Sequence, residues 1–563
     1  MATNPISVYT GTQDPPASQI PLREPCPAQR ERSGAISLLL DEVTRTKGDH
    51  AAFVNAEAGT EVTWADVAAA AELWKERFGY PAPQGRGGRA AGAPPEVGRP
   101  VVGLRIAAPD VFCREYLAAV AAGVCIVPVD PHCTQLELDR YAASFRLTHL
   151  LSDGAEVLDL DAARQLCARK SPPSGDSSSH PSASERDAIV ALGGLTDALD
   201  LLPEPAAVLS RTSGSSGMPK LVPLTERQLV AVAARVVEDE RLAGTDRGFV
   251  ALPLFDVDSQ VAILATLISG SSLAGQNGFE PDSFWQHVEA SGATWLSLSP
   301  AMIARLTEVP GPSEGVRRHV RFARSGLEGL AHATHSRFWM LTGISVLETY
   351  TMTEAAGHVT ANPLRVTERR PGSVGLPAGT SVRIVDEAGR PVATGQTGRI
   401  EIKGVGVITS YLPEGRLGSL IEACDADGWL GTGDIGWLDG AGYLFLAGQV
   451  DDVIEQADGK LYPREIEDVL VSVLGVVEAA VVGRPVAAGG ELPVAFVGTG
   501  KRLEPQSDHS LRQRIADACD VKLERAKRPF EIFVVESLPF GPTGKVVRRE
   551  LRKVLHGPLS GAA

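Results

Sequence analysis

The sequence predicts an α/β protein, with a large N-terminal domain of layered α/β subdomains followed by a small α+β C-terminal domain. Three observations carry that expectation. The chain has 563 residues, more than one hydrophobic core serves, so at least two domains are expected. Short apolar strands such as Val101–Ile106 alternate with helical patterns such as Val111–Ala122, the mark of parallel α/β layering. After Gly448 come a helix at Pro463–Val473, a strand at Val476–Val482 and a helix at His509–Leu523, enough for a compact second unit. The expected division is a poorly structured arm over 1–33, a large domain over 34–449 and a small one over 450–563.

Along the chain, residues 1–33 hold six prolines and little periodicity. The start, MATNPISVYTGTQDPP, has no basic segment and no apolar core, so it is not read as a signal peptide. Residues 81–99 and 170–187 are rich in Pro, Gly and Ser and are expected to be surface insertions. The run Tyr116–Val127 is too short to span a bilayer and reads as a buried helix feeding a strand. Phe284–Leu298 again reads as helix then strand. Apolar residues make up 44% and mean hydropathy is near zero, so a soluble globular protein without a membrane partner is expected. A net charge of −15 with no basic tract argues against nucleic acid. Seven scattered cysteines with no C-x-x-C pair fit reduced thiols in a cytoplasmic protein.

The segment Arg211-Thr-Ser-Gly-Ser-Ser-Gly-Met-Pro-Lys220 points most directly to chemistry. Gly214 and Gly217 let the backbone turn its N–H groups inward, while Thr212, Ser213, Ser215 and Ser216 add hydroxyl donors. Lys220 adds a point charge, and the whole suits a loop around a polyphosphate. Its spacing is not that of a Walker loop, because the lysine stands three residues after the second glycine and no Ser or Thr follows.

This loop resembles the signature of the adenylate-forming superfamily of acyl-CoA synthetases, aryl acid ligases, luciferases and peptide-synthetase adenylation domains. Four further motifs follow in the family's order: Tyr350-Thr-Met-Thr-Glu354, Gly428-Trp-Leu-Gly-Thr-Gly-Asp434, the crossover from Gly448 to Glu467, and Pro539-Phe-Gly-Pro-Thr-Gly-Lys545. The resemblance spans about residue 35 to about residue 555 and implies ATP and Mg²⁺ as cofactors and a mobile C-terminal domain. It implies that 212–220 holds the β- and γ-phosphates, that Glu354 binds Mg²⁺ and that Thr353 touches the α-phosphate. It places Tyr350 and Gln449 with the nucleotide, Asp434 on the ribose diol and Ser325-Gly326 against the adenine. Lys545 would bridge carboxylate and α-phosphate. Trp295 and His358 lie in segments that look most like acyl-CoA synthetases and, with Gly326, are assigned to the acid side.

The chain departs from the family's pattern at four places. The crossover normally begins Gly-Arg, and here it is Gly448-Gln449; an amide carries no fixed charge and fewer donors. The lysine six residues later is Glu455, and the following glycine is Asp458, with Gly459 beside it. The histidine of Pro-Leu-Phe-His is Asp256, with Asp258 close behind. Peptide-synthetase members carry Phe-Asp there and pair the aspartate with a substrate amine, so Asp256 hints at an amine-bearing substrate, and Asp258 is assigned with it to substrate binding. The function expected is ATP-dependent adenylation of a small or aryl carboxylic acid, amine-bearing if Asp256 is read so, with release of pyrophosphate and transfer to CoA or another acceptor such as a carrier protein. The alternative is a diazotase that activates nitrite with ATP and couples it to an aryl amine.

Overall fold

The computed structural model describes residues 34–78, 100–153, 158–159, 197–212, 220–326, 329–456, 459–486, 489–541 and 544–556. The arm 1–33, both expected insertions, Ser213–Gly217 and Asp458 lie outside the described residues.

Two sheets carry the large domain. In the nine-stranded sheet, the strands Ala51–Asn55, Ser272–Gly275, Arg247–Val250, Trp295–Leu298, Phe322–Ser325 and Val346–Met352 lie side by side and parallel. The six-stranded sheet holds Val101–Arg105 and Cys125–Pro128 in parallel, edged by the antiparallel pair Ala206–Thr212 and Lys220–Thr225. Helices Pro109–Ala121, Glu226–Glu240 and Val257–Ser269 contribute to the same core cluster as strands from both sheets. Every residue from Val257 to Leu267 is buried, so this helix is wrapped on all sides and its polar positions face protein rather than water. An antiparallel four-stranded sheet, Thr380–Val385, Gly398–Gly404, Leu430–Leu438 and Leu444–Gln449, follows.

The small domain packs helices Pro463–Val471, Pro505–Lys522 and Arg548–His556 with the sheet Glu478–Pro485, Glu491–Gly498 and Glu531–Val535. The last long helix begins four residues before the expected His509 because Pro505 occupies its first turn, where a missing N–H is harmless. The strand expected at Val476–Val482 begins at Glu478, since Val476 N–H closes a turn onto the Val473 carbonyl at 3.1 Å. The helix inside 116–127 ends at Ala121 and feeds the strand Cys125–Pro128, as its apolar run predicts. Among the described residues no helix is long and apolar enough to cross a membrane.

The two domains touch. Arg337 donates to the carbonyls of Val471 and Val476, the latter at 3.2 Å, and Arg464 donates to that of Leu330 at 3.4 Å. Gly329 leaves no room for a Cβ, which would fall 1.4 Å from the Arg464 guanidinium.

Candidate active site

The phosphate side is built on one strand pair. Thr212 and Lys220 stand opposite each other where Ala206–Thr212 and Lys220–Thr225 pair, so the bases of the Gly/Ser segment are fixed by a ladder. The Thr212 hydroxyl is buried without a hydrogen-bond partner among the described residues. Lys220 Nζ lies 4.7 Å from the Tyr411 ring centroid, and the Tyr411 hydroxyl donates to Glu354 Oε1 at 3.4 Å. Tyr411 therefore ties the loop's lysine to the Tyr-x-x-Thr-Glu segment, a link with no signal in the sequence.

Thr353 and Glu354 sit in a single 3₁₀ turn, Thr353–Ala355, that ends with Ala356 in the left-handed region (φ 54°). No α-helix starts here; the chain turns sharply into the strand Gly357–Ala361, leaving both side chains half-exposed. Among the described residues no three His, Cys, Asp or Glu side chains gather as a metal cage. A lone carboxylate at a polyphosphate loop nevertheless fits Mg²⁺, which takes one or two carboxylates and fills its shell with phosphate oxygens and water. Glu354 would hold the ion, which when bound screens the phosphate charge.

The ribose side is the most completely assembled part. Asp434 and Gln449 face each other across the strands Leu430–Leu438 and Leu444–Gln449, and Gln449 Nε2 donates to Asp434 Oδ1 at 3.2 Å. The Tyr350 hydroxyl donates to the other oxygen, Oδ2. Thr432 accepts from Asp434 N–H at 3.0 Å, and Gly433, at φ 81°, gives the backbone the bend this needs. Burial pushes the Asp434 carboxyl up, while Tyr350, Lys545 and Gln449 pull against that shift. The adenine segment is tight: a Cβ on Gly326 would meet Thr349 Oγ1 at 2.8 Å, so only glycine lets strand Phe322–Ser325 run this close to Val346–Met352.

Lys545 comes from the small domain. Gly541 N–H donates to the Lys545 carbonyl at 2.8 Å and Gly544 N–H to the Gly541 carbonyl at 2.9 Å, closing a loop that needs Gly544 at φ 80°. The Lys545 ammonium favours the charged form of two carboxyls of the large domain, Asp434 and Asp256. One cation thus serves both the ribose side and the acid side.

On the acid side the first candidate residue has a local role. Asp256 caps helix Val257–Ser269, with Oδ1 accepting from Asp258 N–H at 2.9 Å. Burial raises its carboxyl to about 6, opposed by that N–H and by Lys545. Asp256 therefore has a structural duty at the helix start, and the Lys545 charge favours its ionised form. Asp258 is fully buried and faces Arg324, with Arg324 Nη2 to Asp258 Oδ2 at 3.5 Å. Arg324 Nη1 donates to Glu240 Oε1 at 3.2 Å, and all three side chains are sealed from solvent. Trp295 is fully buried beneath the Arg324 guanidinium, 5.2 Å from ring centroid to Cζ, so it reaches the acid side through Arg324. His358 is buried, and neither ring nitrogen has a partner among the described residues.

Arg324 and Glu240 escape a sequence reading. Arg324 looks like an ordinary strand residue, and nothing separates Glu240 from its acidic neighbours Glu238 and Asp239 at the helix end. The one legible signal was Arg324 standing immediately before Ser325-Gly326.

Burial first, then the Arg324 charge, pulls the His358 imidazolium down to about 4. A folded pKa below the unfolded value makes the neutral ring the stabilising form. That stability is complete above about pH 6.5 and is lost as pH falls through about 4. Wild type should therefore lose on the order of 3 kcal/mol relative to His358→Gln between those limits. Denaturant titrations at stepped pH measure this, and parallel curves would contradict it.

Comparison with known proteins decides the family. Residues 114–412 match the AMP-binding enzyme family and residues 465–545 its C-terminal domain. The chain belongs to the AMP-binding enzymes. This AMP-binding enzyme is 34% identical to the sulfoacetate–CoA ligase of Cupriavidus necator over 78% of its own length and 84% of the relative's. It is 29% identical to the oxalate–CoA ligase of Saccharomyces cerevisiae over 61% of its length and 62% of that relative's. Among solved structures, ATP-bound MatB from Rhodopseudomonas palustris aligns with a TM-score of 0.71 and 26% identity, covering 92% of this chain and 98% of MatB. The anthranilate CoA ligase AuaEII with anthranoyl-AMP aligns with a TM-score of 0.73 over 92% and 97% of the two chains; at 21% identity this shows the fold alone. The AMP-binding enzyme described here is an ATP-dependent, AMP-forming ligase.

Proposed function

We propose that the enzyme joins a small carboxylic acid to the α-phosphate of ATP, releases pyrophosphate, and passes the acyl group to CoA. The observation that supports this best is that the Lys545 charge acts on two carboxyls of the large domain, Asp434 and Asp256. An acid oxygen attacking the α-phosphorus must meet growing negative charge in line, and one ammonium aimed at that point stabilises the transition state more than the ground state. Asp434, Tyr350 and Gln449 hold the ribose, 212–220 the outer phosphates and Glu354 the magnesium. The CoA acceptor rests on the relatives, which are CoA ligases by name.

Gln449 and Glu455 favour weighing a second reading, in which nitrite takes the place of the acid and an aryl amine that of CoA. Gln449 is engaged with Asp434, and Glu455 lies exposed on the strand Ile454–Gln456, so both departures sit where the domains join. Product analysis separates the readings. Acids should give AMP with acyl-CoA when CoA is present, whereas AMP formation that requires nitrite and an aryl amine would overturn the first reading.

The second step calls for rotation of the small domain about the turn Val450–Asp452, which follows Gln449 directly. Arg552 pins this turn at present, donating to Asp452 Oδ1 at 2.8 Å and to the Asp451 carbonyl at 3.1 Å. Asp451→Pro restricts the dihedral and should slow acyl transfer by about tenfold or more while sparing pyrophosphate release. Equal loss in both half-reactions would place the hinge elsewhere.

A further inference from the structure

The contact between the two domains rests on reciprocal arginines. Arg337, on the large-domain helix His332–Thr342, reaches across with both terminal nitrogens of its guanidinium. One donates to the carbonyl of Val471, the last residue of helix Pro463–Val471, and the other to that of Val476 at 3.2 Å. The final carbonyls of a helix have no partner within it and carry its negative end, so a cation there is favoured. In return Arg464, in the first turn of that same small-domain helix, donates to the Leu330 carbonyl at 3.4 Å. A third contact, Lys460 Nζ to Glu387 Oε1 at 2.5 Å, also crosses between the domains, but both side chains are exposed and such pairs contribute little. Arg337 is half-buried and grips two carbonyls at once, which makes it the strongest of the three.

This grip belongs to one orientation of the small domain. In it the loop that carries Lys545 is seated on the large domain, where a Cβ on Gly544 would lie 3.6 Å from Ser299 Oγ. The Lys545 charge then acts on Asp434 and Asp256. Val471 and Val476 lie beyond the turn Val450–Asp452, whereas Arg337 lies before it. Rotation about that turn carries the two carbonyls away from Arg337, so both bonds break before the small domain presents another face.

We propose that Arg337 is a positioning residue for adenylation: it holds the small domain in the orientation that brings Lys545 to the large domain, and it releases that domain for the second step. This rests on the two-step reading above and deepens it by naming the residue that sets the balance between the two orientations. For both steps to run, the orientations must lie close in free energy. Two charge-assisted bonds present in only one of them therefore shift the balance measurably. Arg337 acts through the place it gives Lys545.

The test compares full-length wild type with Arg337→Met, which keeps an aliphatic stem and removes the fork. A water-soluble carbodiimide joins Lys460 to Glu387 as an amide when the domains lie in this orientation, and peptide mass spectrometry follows the product. The pair Lys527 and Glu465, 2.8 Å apart within the small domain, calibrates the chemistry. Arg337→Met should slow the Lys460–Glu387 cross-link about two- to tenfold and leave the Lys527–Glu465 one unchanged. The kcat for acid-dependent ATP–pyrophosphate exchange, read with acetate, malonate and benzoate in turn, should fall by the same factor, with KM for ATP near that of wild type. Arg337→Lys keeps the charge without the fork and should fall between the two. Should Arg337→Met lose the Lys527–Glu465 cross-link as well, its fold has failed and Arg337→Lys decides. An unchanged Lys460–Glu387 rate overturns the proposal, and so does a slower cross-link with undiminished exchange. No exchange by wild type with any acid overturns the adenylation reading, while the cross-link by itself still decides whether Arg337 holds the domains.

Discussion

Lys545→Ala should lower acid-dependent pyrophosphate exchange by about 10²–10³-fold while leaving the affinity for ATP nearly unchanged. The separation follows from where each group acts. On the proposed reading the grip on ATP would come from the large domain, where Thr212 pairs with Lys220 and Tyr350 with Asp434. Lys545 stands on a glycine-closed loop of the small domain and, on the proposed reading, would meet charge that exists fully only in the transition state. Equilibrium titration with ATP and initial-rate exchange on the same variant give the two numbers. A variant that exchanges at a near-normal rate, or loses ATP affinity in proportion to rate, would remove Lys545 from this role.

Arg324→Met should destabilise the large domain by about 3–5 kcal/mol, because it leaves two buried carboxylates without their cation. Glu240 already shows the strain of enclosure: burial raises its carboxyl to about 6 even with Arg324 pulling against it. A carboxyl whose folded pKa is raised contributes stability that is present at low pH and lost as pH rises through that value. The Arg324→Met deficit should therefore shrink between about pH 7 and pH 5, as Glu240 takes up a proton. Adding Glu240→Gln and Asp258→Asn should recover much of it at neutral pH. Denaturation midpoints of the single and triple variants check both statements, and a deficit independent of pH would show that lost packing on Trp295, rather than charge, sets the cost.

The sequence showed the fold more fully than the acid side, for physical reasons. Strand and helix periodicity marked Val101–Arg105, Pro109–Ala121 and Trp295–Leu298, because burying one face leaves a local trace. Asp434, Tyr350 and Lys545 were legible because each sits in a short motif of glycines and hydroxyls that few other tasks require. The structure bonds Tyr350 to Asp434, and the Lys545 charge acts on the same carboxyl. The buried charge cluster left no such trace. Its charge pairs join helix Glu226–Glu240, helix Val257–Ser269 and strand Phe322–Ser325, and no spacing within a segment announces a partner that far away. Asp256 drew notice by type, yet the structure gives it a helix cap, and Asp258, two residues on, holds the bare oxygens.

The central claim is that an acid oxygen attacks the α-phosphorus of ATP, and isotope transfer tests it most directly. An acid labelled with ¹⁸O in both carboxylate positions, turned over with ATP and CoA, should deliver one labelled oxygen to AMP and none to pyrophosphate. Label in pyrophosphate or phosphate, or ADP in place of AMP, would contradict the account.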